Sequence, residues 1–250
     1  MPSGLGYALD AQTESQLTPK WVDALCEDRV VGVALGAGFT LAVTDAGAVF
    51  SFGHSRFGAL GHGSLEAEVL PRRIEALAQT GLRFVAVAAG SCHALALKKE
   101  GELYGWGWDG ANGHGRDEPT PHTVTALVGQ RVKHVVARDS SSCAVTEDGE
   151  LFAWGFGGYG QLGHGEQEHS TPKRVEGLNG VKVAAAATCY THTLVADEDG
   201  VVWAFGDRVA LGLGDPDADP DDVQDPVLKP APIPVLRVRA RTSPDVLPIR

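Results

Sequence analysis

Cysteine, positive charge and long apolar runs are all scarce in this sequence of 250 residues. Four cysteines are too few for a disulfide framework, so reduced thiols in the cytoplasm or nucleus are the simplest interpretation. The 21 Lys and Arg against 32 Asp and Glu give a formal net charge of −11, which argues against binding of a nucleic-acid backbone. No run approaches the roughly 18 apolar residues of a membrane span, and the first residues lack the pattern of a secretory signal, so we expect no membrane partner.

Glycine is abundant instead, with 32 residues, and some of it imitates a phosphate-binding loop. The segment LFAWGFGGYGQLGHG (151–165) contains G-x-G-x-x-G at Gly155, Gly157 and Gly160. A dinucleotide site needs a helix directly after these glycines, so that the helix N-terminus faces the pyrophosphate. Here more glycine follows and then EQEHSTPKRV, which has no helical spacing of apolar residues. We therefore expect no cofactor and no enzymatic activity, and we interpret the glycines as turn residues.

An internal repeat explains the glycines. Four versions of one aromatic segment occur: VFSFG (49–53), LYGWG (103–107), LFAWG (151–155) and VWAFG (202–206). Their final glycines lie 54, 48 and 51 residues apart. An acidic turn precedes each of them, and its closing glycines are Gly47, Gly101, Gly149 and Gly200. A third segment follows the same period: TPKWVDAL (18–25), LPRRIEAL (70–77), TPHTVTAL (120–127) and TPKRVEGL (171–178).

Each repeat unit reads as a set of short strands. Apolar runs such as FVAVAAG (84–90) come first, HALAL (93–97) follows, and the acidic turn then leads into the aromatic strand, which is a hairpin pattern. Two aromatic columns two residues apart lie on one face of that strand. The columns are Phe50, Tyr104, Phe152 and Trp203, and Phe52, Trp106, Trp154 and Phe205. No single unit could bury such a face, so the units must stack, which predicts a β-propeller.

These motifs resemble the regulator of chromosome condensation repeat. The shared pattern is [VL]-[FYW]-x-[FW]-G, then G-x-L-G-H-G, then T-P-x-x-V, with G-x-x-H-x-L-A before the turn. The resemblance covers about residues 19–235 and implies an all-β propeller. The G-x-x-H element is intact only at Gly90–His93, since Phe39 and Ser141 replace the histidine in two units and His192 lacks the glycine.

The number of units departs from the resembled family, which forms propellers of seven blades. Seven blades need about 51° each, so four would span only about 206°. We expect about four blades plus partial flanking units, incomplete relative to seven, either an excerpt of a longer array or a partial propeller completed by a partner or a second copy. The open edges would favour self-association. The expected units are a remnant at 1–18, repeats at about 19–70, 71–120, 121–171 and 172–235, and an unfinished strand and tail at 236–250.

Several clusters invite a chemical interpretation, and each has a simpler structural one. His62, His114 and His164 recur once per unit, too far apart around a ring to share a metal, so a structural hydrogen bond is favoured. The cysteines show no C-x-x-C spacing, so no metal site is expected. The segment DPDADPDDVQDP (215–226) has prolines where a calcium loop needs glycine and glutamate, and is interpreted as a solvated acidic insertion. Arg237, Arg239 and Arg241 are interpreted as protection of a sheet edge.

Function is expected where the repeats differ, in the loops after the aromatic strands. These loops contain the candidate partner-binding residues, which are Arg56, Phe57, Trp108, Asp109, Tyr159 and Arg208. Packing of these side chains against their own blade is the alternative. The leading interpretation is a non-catalytic scaffold that binds another protein. The family resemblance implies three further possibilities: nucleotide exchange on a Ran-like small GTPase, substrate recognition within a ubiquitin ligase, or ultraviolet sensing through clustered tryptophans and arginines. The last is disfavoured, because three of the five tryptophans belong to the packing columns.

Overall fold

The computed structural model describes residue 5 and residues 20–78, 82–165, 168–213 and 225–237. These residues form four antiparallel sheets of four strands each, in which sequential strands are neighbours. Residues of the first strands of all four sheets line a central cavity of about 750 Å³. The predicted all-β propeller with about four blades is confirmed. No helix among the described residues is long and apolar enough to cross a membrane.

Each sheet is one blade, and its strands follow the chain from the central cavity outward. Blade 1 contains β1 to β4: Val30–Leu35, Phe39–Thr44, Val49–Gly53 and Glu68–Arg73. Blade 2 contains β5 to β8: Phe84–Ala89, His93–Lys98, Leu103–Gly107 and Glu118–Thr123. Blade 3 contains β9 to β12: Val132–Arg138, Ser141–Thr146, Leu151–Gly155 and His169–Arg174. Blade 4 contains β13 to β16: Val183–Thr188, His192–Asp197, Val201–Gly206 and Val227–Arg237.

The helical segments are single turns. The α-helix α1 spans Glu75–Ala78, and 3-10 turns span Asp23–Leu25, Arg56–Gly58, Thr125–Leu127 and Glu176–Leu178. Three of these turns follow the outer strands of blades 1 to 3, and their apolar residues are buried beneath the blades, as Ile74, Leu77 and Leu127 show. The Pro-containing repeat segments at 70–77, 120–127 and 171–178 therefore form the end of an outer strand followed by a helical turn, a division that the sequence pattern did not predict.

Neighbouring blades share a hydrophobic core. One cluster joins Leu41 and Val43 of blade 1 to Trp106 of blade 2, and two further clusters join blades 2 and 3 and blades 3 and 4 in the same way. Trp106 Nε1 donates a hydrogen bond to the Ala59 carbonyl at 2.8 Å, and Trp154 Nε1 donates to the Ala111 carbonyl at 2.8 Å. The aromatic strands of blades 2 and 3 therefore pack against a loop of the preceding blade, which is the stacking that the aromatic columns predicted.

The second aromatic column supports this stacking most strongly. Phe52, Trp106, Trp154 and Phe205 are all at most 4% exposed, whereas Phe50, Tyr104 and Trp203 of the first column are only half-buried. Burying a ring of this size stabilises the fold by roughly 1.5–3 kcal/mol. The blade junctions are therefore held mainly by the residue that directly precedes the final glycine of each aromatic strand.

The acidic turns also connect blades. The carbonyls of Gly47, Gly101 and Gly149 accept hydrogen bonds of 3.2, 2.9 and 3.0 Å from the first N–H of the next blade. At Gly101 the backbone has φ +93°, and a Cβ would lie 3.0 Å from Arg131 Cα. The turn needs glycine there because a side chain would strain the backbone and push the next blade away.

Replacing Gly101 with alanine is expected to destabilise the protein more than replacing Gly129 with alanine. Gly129 has φ +90°, but a Cβ there would have no atom within 4 Å, so its alanine variant measures the left-handed strain alone, about 1–2 kcal/mol. The contact with Arg131 should add about 1–3 kcal/mol at Gly101. Urea unfolding of the two variants checks this, and equal losses would contradict the proposed role of the turn.

The face of blade 1 that points away from blade 2 is not covered by any other described residue. Val33 and Leu35 are 65% and 73% exposed, whereas Val135, which is equivalent to Val33, and Ala89 and Ala137, which are equivalent to Leu35, are buried against a preceding blade. The self-association expected from open edges stays a prediction. The boundaries of the repeat units also stay predictions. The remnant at 1–18 apart from residue 5, most of the acidic insertion, and Arg239 and Arg241 lie outside the described residues.

Candidate functional site: the loop face

The loops that follow the third strands and the turns between the first and second strands lie at one end of the propeller, as far as the structure describes them. The first residue after each third strand donates a backbone hydrogen bond to the turn between the first and second strands of the same blade. These bonds are His54–Gly38, Trp108–Cys92, Phe156–Ser140 and Asp207–Thr191, at 2.8–2.9 Å. The two sets of loops thus lie together, and we call their end the loop face. The acidic turns lie at the opposite end of the antiparallel strands, the turn face.

A cluster of three aromatic rings lies on the loop face between blades 3 and 4. The ring centroids of Phe156, Tyr159 and Tyr190 lie 5.6–6.1 Å apart, with one stacked pair and two angled pairs. Tyr159 and Tyr190 are 37% and 51% exposed. The cluster therefore presents two exposed tyrosine rings to a partner, and the contacts among the three rings hold them in position.

Buried Gln161 fixes this cluster in place. Its Oε1 accepts a hydrogen bond from the Tyr159 backbone N–H at 2.9 Å, and its Nε2 donates to the Tyr190 carbonyl at 3.0 Å. The Gln161 carbonyl also accepts a hydrogen bond of 2.8 Å from the Thr193 hydroxyl. Gln161 is 1% exposed, so a buried amide joins the loop of blade 3 to blade 4 and preorganises the exposed rings.

The loop of blade 1 presents the next pair of candidate residues, Arg56 and Phe57. The Arg56 guanidinium lies 5.5 Å from the centroid of the Phe57 ring, within reach of a cation–π contact. Phe57 is 36% exposed, and its backbone has φ 56° and ψ 21°, the left-handed region that bulky residues rarely adopt. Such strain costs on the order of 1–3 kcal/mol and clusters at functional sites, so the position of this ring is held by the surrounding loop.

The loop of blade 2 holds its candidate residues more tightly. The Trp108 ring folds over its own loop, since a Cβ on Gly110 would lie 2.2 Å from its Cη2. The Asp109 backbone N–H donates a 2.8 Å hydrogen bond to Asp117 Oδ1 across the loop. Trp108 and Asp109 are both half-buried. Their contacts lie within their own blade, which is the alternative interpretation given for these candidates.

The loop of blade 4 likewise engages its own blade. Arg208 Nε donates a 3.0 Å hydrogen bond to the Asp225 carbonyl, which lies just before the outer strand of blade 4. Asp207 Oδ1 accepts a hydrogen bond from the Ala210 backbone N–H at 2.9 Å. Arg208 therefore connects two segments of its blade, whereas Arg56 and Tyr159 remain the more accessible candidates.

Phe156 and Tyr190 belong to the site but were not predicted. Phe156 occupies the first loop position, which is Trp108 in blade 2, and that variation between repeats was a usable signal. Tyr190 lies in the turn before His192, where blade 2 has Ser91. The sequence separation of Tyr159 and Tyr190 concealed their contact, because only the stacking of blades 3 and 4 brings them together.

The three repeated histidines have a structural role. His114 Nε2 and His164 Nε2 lie 3.1 Å from the carbonyls of Gly105 and Ala153, and His62 Nε2 lies 2.9 Å from the Ser51 hydroxyl. Burial lowers the pKa of all three imidazoles below the usual value, so they are neutral at pH 7. Each histidine thus ties a glycine loop to the third strand of its own blade.

The cysteines are free thiols in different surroundings. Cys143 is buried, and burial raises its pKa to about 12, so its thiol stays protonated. Cys92 and Cys189 are half-buried and Cys26 is exposed. Within the part of the chain that the structure describes, no group of three or more His, Cys, Asp or Glu is placed to hold a metal ion.

The G-x-G-x-x-G motif is likewise structural. Gly155 ends strand β11 with φ +111°, and a Cβ there would lie 2.3 Å from the Ser140 carbonyl oxygen. Turns follow Gly160, and the next regular element is β12. The backbone N–H groups of this segment therefore do not point from a helix N-terminus into a phosphate site.

The four blades stack around a central cavity, carry variable loops at one end and each correspond to one copy of a sequence repeat. The protein is therefore a β-propeller built from repeats. Residues 46–97 and 148–196 match the family profile of the regulator of chromosome condensation (RCC1) repeat, and residues 84–116 and 132–161 match a second profile of that repeat. The chain belongs to the regulator of chromosome condensation repeat family.

The same repeat occurs in curated relatives that are named as a receptor, as a ubiquitin ligase and as an RCC1 domain-containing protein. The chain is 36% identical to the ultraviolet-B receptor UVR8 of Arabidopsis thaliana over 76% of this chain and 44% of the relative. It is 35% identical to the human E3 ubiquitin-protein ligase HERC2 over 79% of this chain and 4% of the relative. It is 51% identical to mouse RCC1 domain-containing protein 1 over 33% of this chain and 22% of the relative. The chain thus spans less than half the length of these relatives.

Solved structures share the fold. Human WBSCR16 superposes with a TM-score of 0.71 at 23% identity, over 83% of this chain and 54% of that chain. Prp20p of Saccharomyces cerevisiae, a protein described as binding Gsp1p and histones, gives a TM-score of 0.53 at 21% identity, over 94% of this chain and 73% of that chain. At these identities the likeness concerns the architecture.

Proposed function

We propose that this protein is a non-catalytic β-propeller scaffold that binds another protein through its loop face. The observation that carries the proposal is the exposure of Phe57, Tyr159 and Tyr190 at one end of the propeller. Aromatic residues are enriched among the side chains that dominate protein–protein binding energy, and exposed rings on a fixed base lose little entropy on binding. The relatives also support the proposal, because one is named a receptor and another a ubiquitin ligase, and both carry this repeat. This is what we expect if the repeat supplies a constant framework and the variable loops supply the specific function.

Binding of this kind needs no catalytic group, cofactor or metal in the chain. We propose a cytoplasmic or nuclear location, which the free thiols support. The net charge of −11 supports a protein partner over nucleic acid. Nucleotide exchange on a Ran-like GTPase and substrate recognition for ubiquitin ligation are two narrower forms of the same proposal, because both act by protein binding.

Loss of the two exposed tyrosines tests the proposal. A partner isolated with the wild-type chain should bind the Tyr159→Ala/Tyr190→Ala double variant about 30-fold more weakly, because hot-spot side chains contribute about 2 kcal/mol or more. Trp21→Ala is the matched control, since Trp21 is a 73% exposed aromatic residue outside the loop face. Titration calorimetry provides the measurement. Equal affinity of wild type and double variant for every isolated partner, together with unchanged binding by loop variants of blade 1, would refute the loop-face proposal.

An exchange assay then separates the two leading forms of the function. Purified small GTPases loaded with a fluorescent guanine nucleotide are mixed with the chain, and nucleotide release is followed. Acceleration that the double variant loses supports exchange. Stable binding of a partner without acceleration supports the scaffold.

A further inference from the structure

A second site on the loop face lies beside the strained loop of blade 1. A cavity of about 790 Å³ opens between this loop and the start of the outer strand of blade 2. Its size falls within the range of pockets that hold ligands or inserted side chains. It is separate from the tyrosine cluster, which lies between blades 3 and 4.

The wall of this cavity is mainly apolar. The apolar side chains that line it are Ala37, Phe57, Leu65, Ala67 and Pro119. Leu65 is 70% exposed, which leaves a large apolar side chain in contact with water at the rim. Exposed apolar groups around a concave surface lose their contact with water when an apolar side chain of a partner enters.

The loop is held open by hydrogen bonds before any partner binds. The Ser55 hydroxyl donates to the Ser64 carbonyl at 2.9 Å and joins the two limbs of the loop. The Gly63 N–H donates to the Pro119 carbonyl at 2.9 Å and fixes the loop to blade 2. Ser55 is 3% exposed, so this link is protected from water. A preformed cavity needs little ordering on binding.

The charge at the cavity is uneven. Arg56 lies over Phe57 at the cavity, and within the described part of the chain its side chain has no ion pair or hydrogen bond. Asp117 also lines the cavity, but its Oδ1 accepts the Asp109 N–H. The ring of His54 packs against Gly38. The accessible cation is therefore Arg56, whose planar guanidinium suits a carboxylate.

We propose that this cavity binds a short segment of a partner protein in which a bulky apolar side chain stands next to a carboxylate. The apolar side chain fills the space between Leu65 and Pro119, and the carboxylate pairs with Arg56. The inference rests on the proposed function, because the cavity belongs to the loop face. The net charge of −11 disfavours a strongly acidic partner, so a single carboxylate beside an apolar residue fits better than an acidic run.

A library of random twelve-residue peptides displayed on phage tests this inference on the full chain. Peptides are selected on wild type and depleted on Leu65→Asp, which places a charge in the apolar wall. We expect enrichment of peptides that pair Leu, Phe or Trp with a neighbouring Asp or Glu. Enrichment without an acidic residue, or no peptide enriched over the depleted pool, would overturn the inference.

Synthetic copies of an enriched peptide then assign the contacts by fluorescence anisotropy. Arg56→Glu is expected to weaken binding about tenfold or more, and Arg56→Lys by less, because lysine keeps the charge without the planar fork. Replacing the carboxylate of the peptide by its amide should weaken binding of wild type but not of Arg56→Glu. Arg138→Glu on blade 3 and Val209→Asp on blade 4 are controls on the same face, and each should change affinity less than about twofold.

The outcomes separate this inference from the proposed function. Unchanged thermal unfolding of Arg56→Glu and Leu65→Asp shows that these variants fold. If a peptide or partner binds Tyr159→Ala/Tyr190→Ala more weakly but binds Arg56→Glu as well as wild type, the cavity proposal is wrong and the loop-face proposal is supported. A partner that every loop-face variant binds as well as wild type overturns both.

Discussion

Replacement of Trp154 by alanine is expected to lower the free energy of unfolding by about 3–5 kcal/mol, the usual cost of removing a large buried aromatic side chain. Trp154 is completely buried in the core between blades 2 and 3. The substitution leaves a cavity at the junction and removes the Nε1 donor that bonds the Ala111 carbonyl at 2.8 Å. Urea unfolding followed by circular dichroism measures the loss.

Two controls separate the contributions to this effect. Trp21→Ala should change stability by less than about 0.5 kcal/mol, because Trp21 is 73% exposed. Trp154→Phe should cost about 1–2 kcal/mol, since phenylalanine already occupies this column in blades 1 and 4 and the Ser142 hydroxyl still donates to Ala111 at 3.0 Å. A loss below about 1 kcal/mol for Trp154→Ala would contradict stacking as the source of stability.

Acid is expected to destabilise the protein through His93. This imidazole is completely buried, and burial lowers its pKa to about 3. Its Nε2 lies 2.8 Å from the Ser142 hydroxyl, which itself donates to Ala111, so Nε2 carries the proton. Its buried Nδ1 has no hydrogen-bond partner among the described residues, and protonation there would bury an uncompensated charge.

The direction of the pH effect follows from linkage. The unfolded chain binds a proton at His93 near the ordinary histidine pKa of 6.5, whereas the folded chain resists protonation down to about 3. The contribution of His93 to stability is therefore fully present above pH 6.5, and it falls by at most about 1.4 kcal/mol for each pH unit between pH 6.5 and about pH 3. His62, His114 and His164 act in the same direction, since burial lowers the pKa of each.

His93→Phe isolates this contribution, because Phe39 occupies the equivalent position in blade 1 and is buried there. Urea unfolding at pH 7.5 and pH 4.5 should show a wild-type loss that exceeds the loss of the variant by about 2–3 kcal/mol. The same pH dependence in both proteins would place the acid sensitivity elsewhere.

The repeat was readable from the sequence because its signals are local and periodic. The glycines that close the acidic turns and the aromatic residue before each final glycine recur at a nearly fixed period. The glycines are explained by the backbone conformation of a tight turn, and the aromatic residues by burial between blades. That was enough to predict the strands, the hairpins and the burial of Trp106 and Trp154. The helical turns after the outer strands were not predicted, because a turn of three or four residues such as Glu75–Ala78 is too short for helical periodicity.

The loop face was predictable only in part. Variation between the repeats pointed to Arg56, Phe57 and Tyr159, which are exposed on it. The pattern could not show that Trp108 folds over Gly110 or that Arg208 bonds the Asp225 carbonyl, because these contacts depend on loop conformation. It also could not show that Tyr159 meets Tyr190, since that contact crosses a blade junction.

Hydrogen exchange of the chain with and without an isolated partner tests the central claim most directly. The claim is that partners bind the loop face and leave the turn face free. We expect slower exchange in peptides covering 54–67, 156–161 and 189–191, with no change in the acidic turns at 45–48, 99–102 and 147–150. Protection confined to the acidic turns, with the loop peptides unchanged, would contradict it.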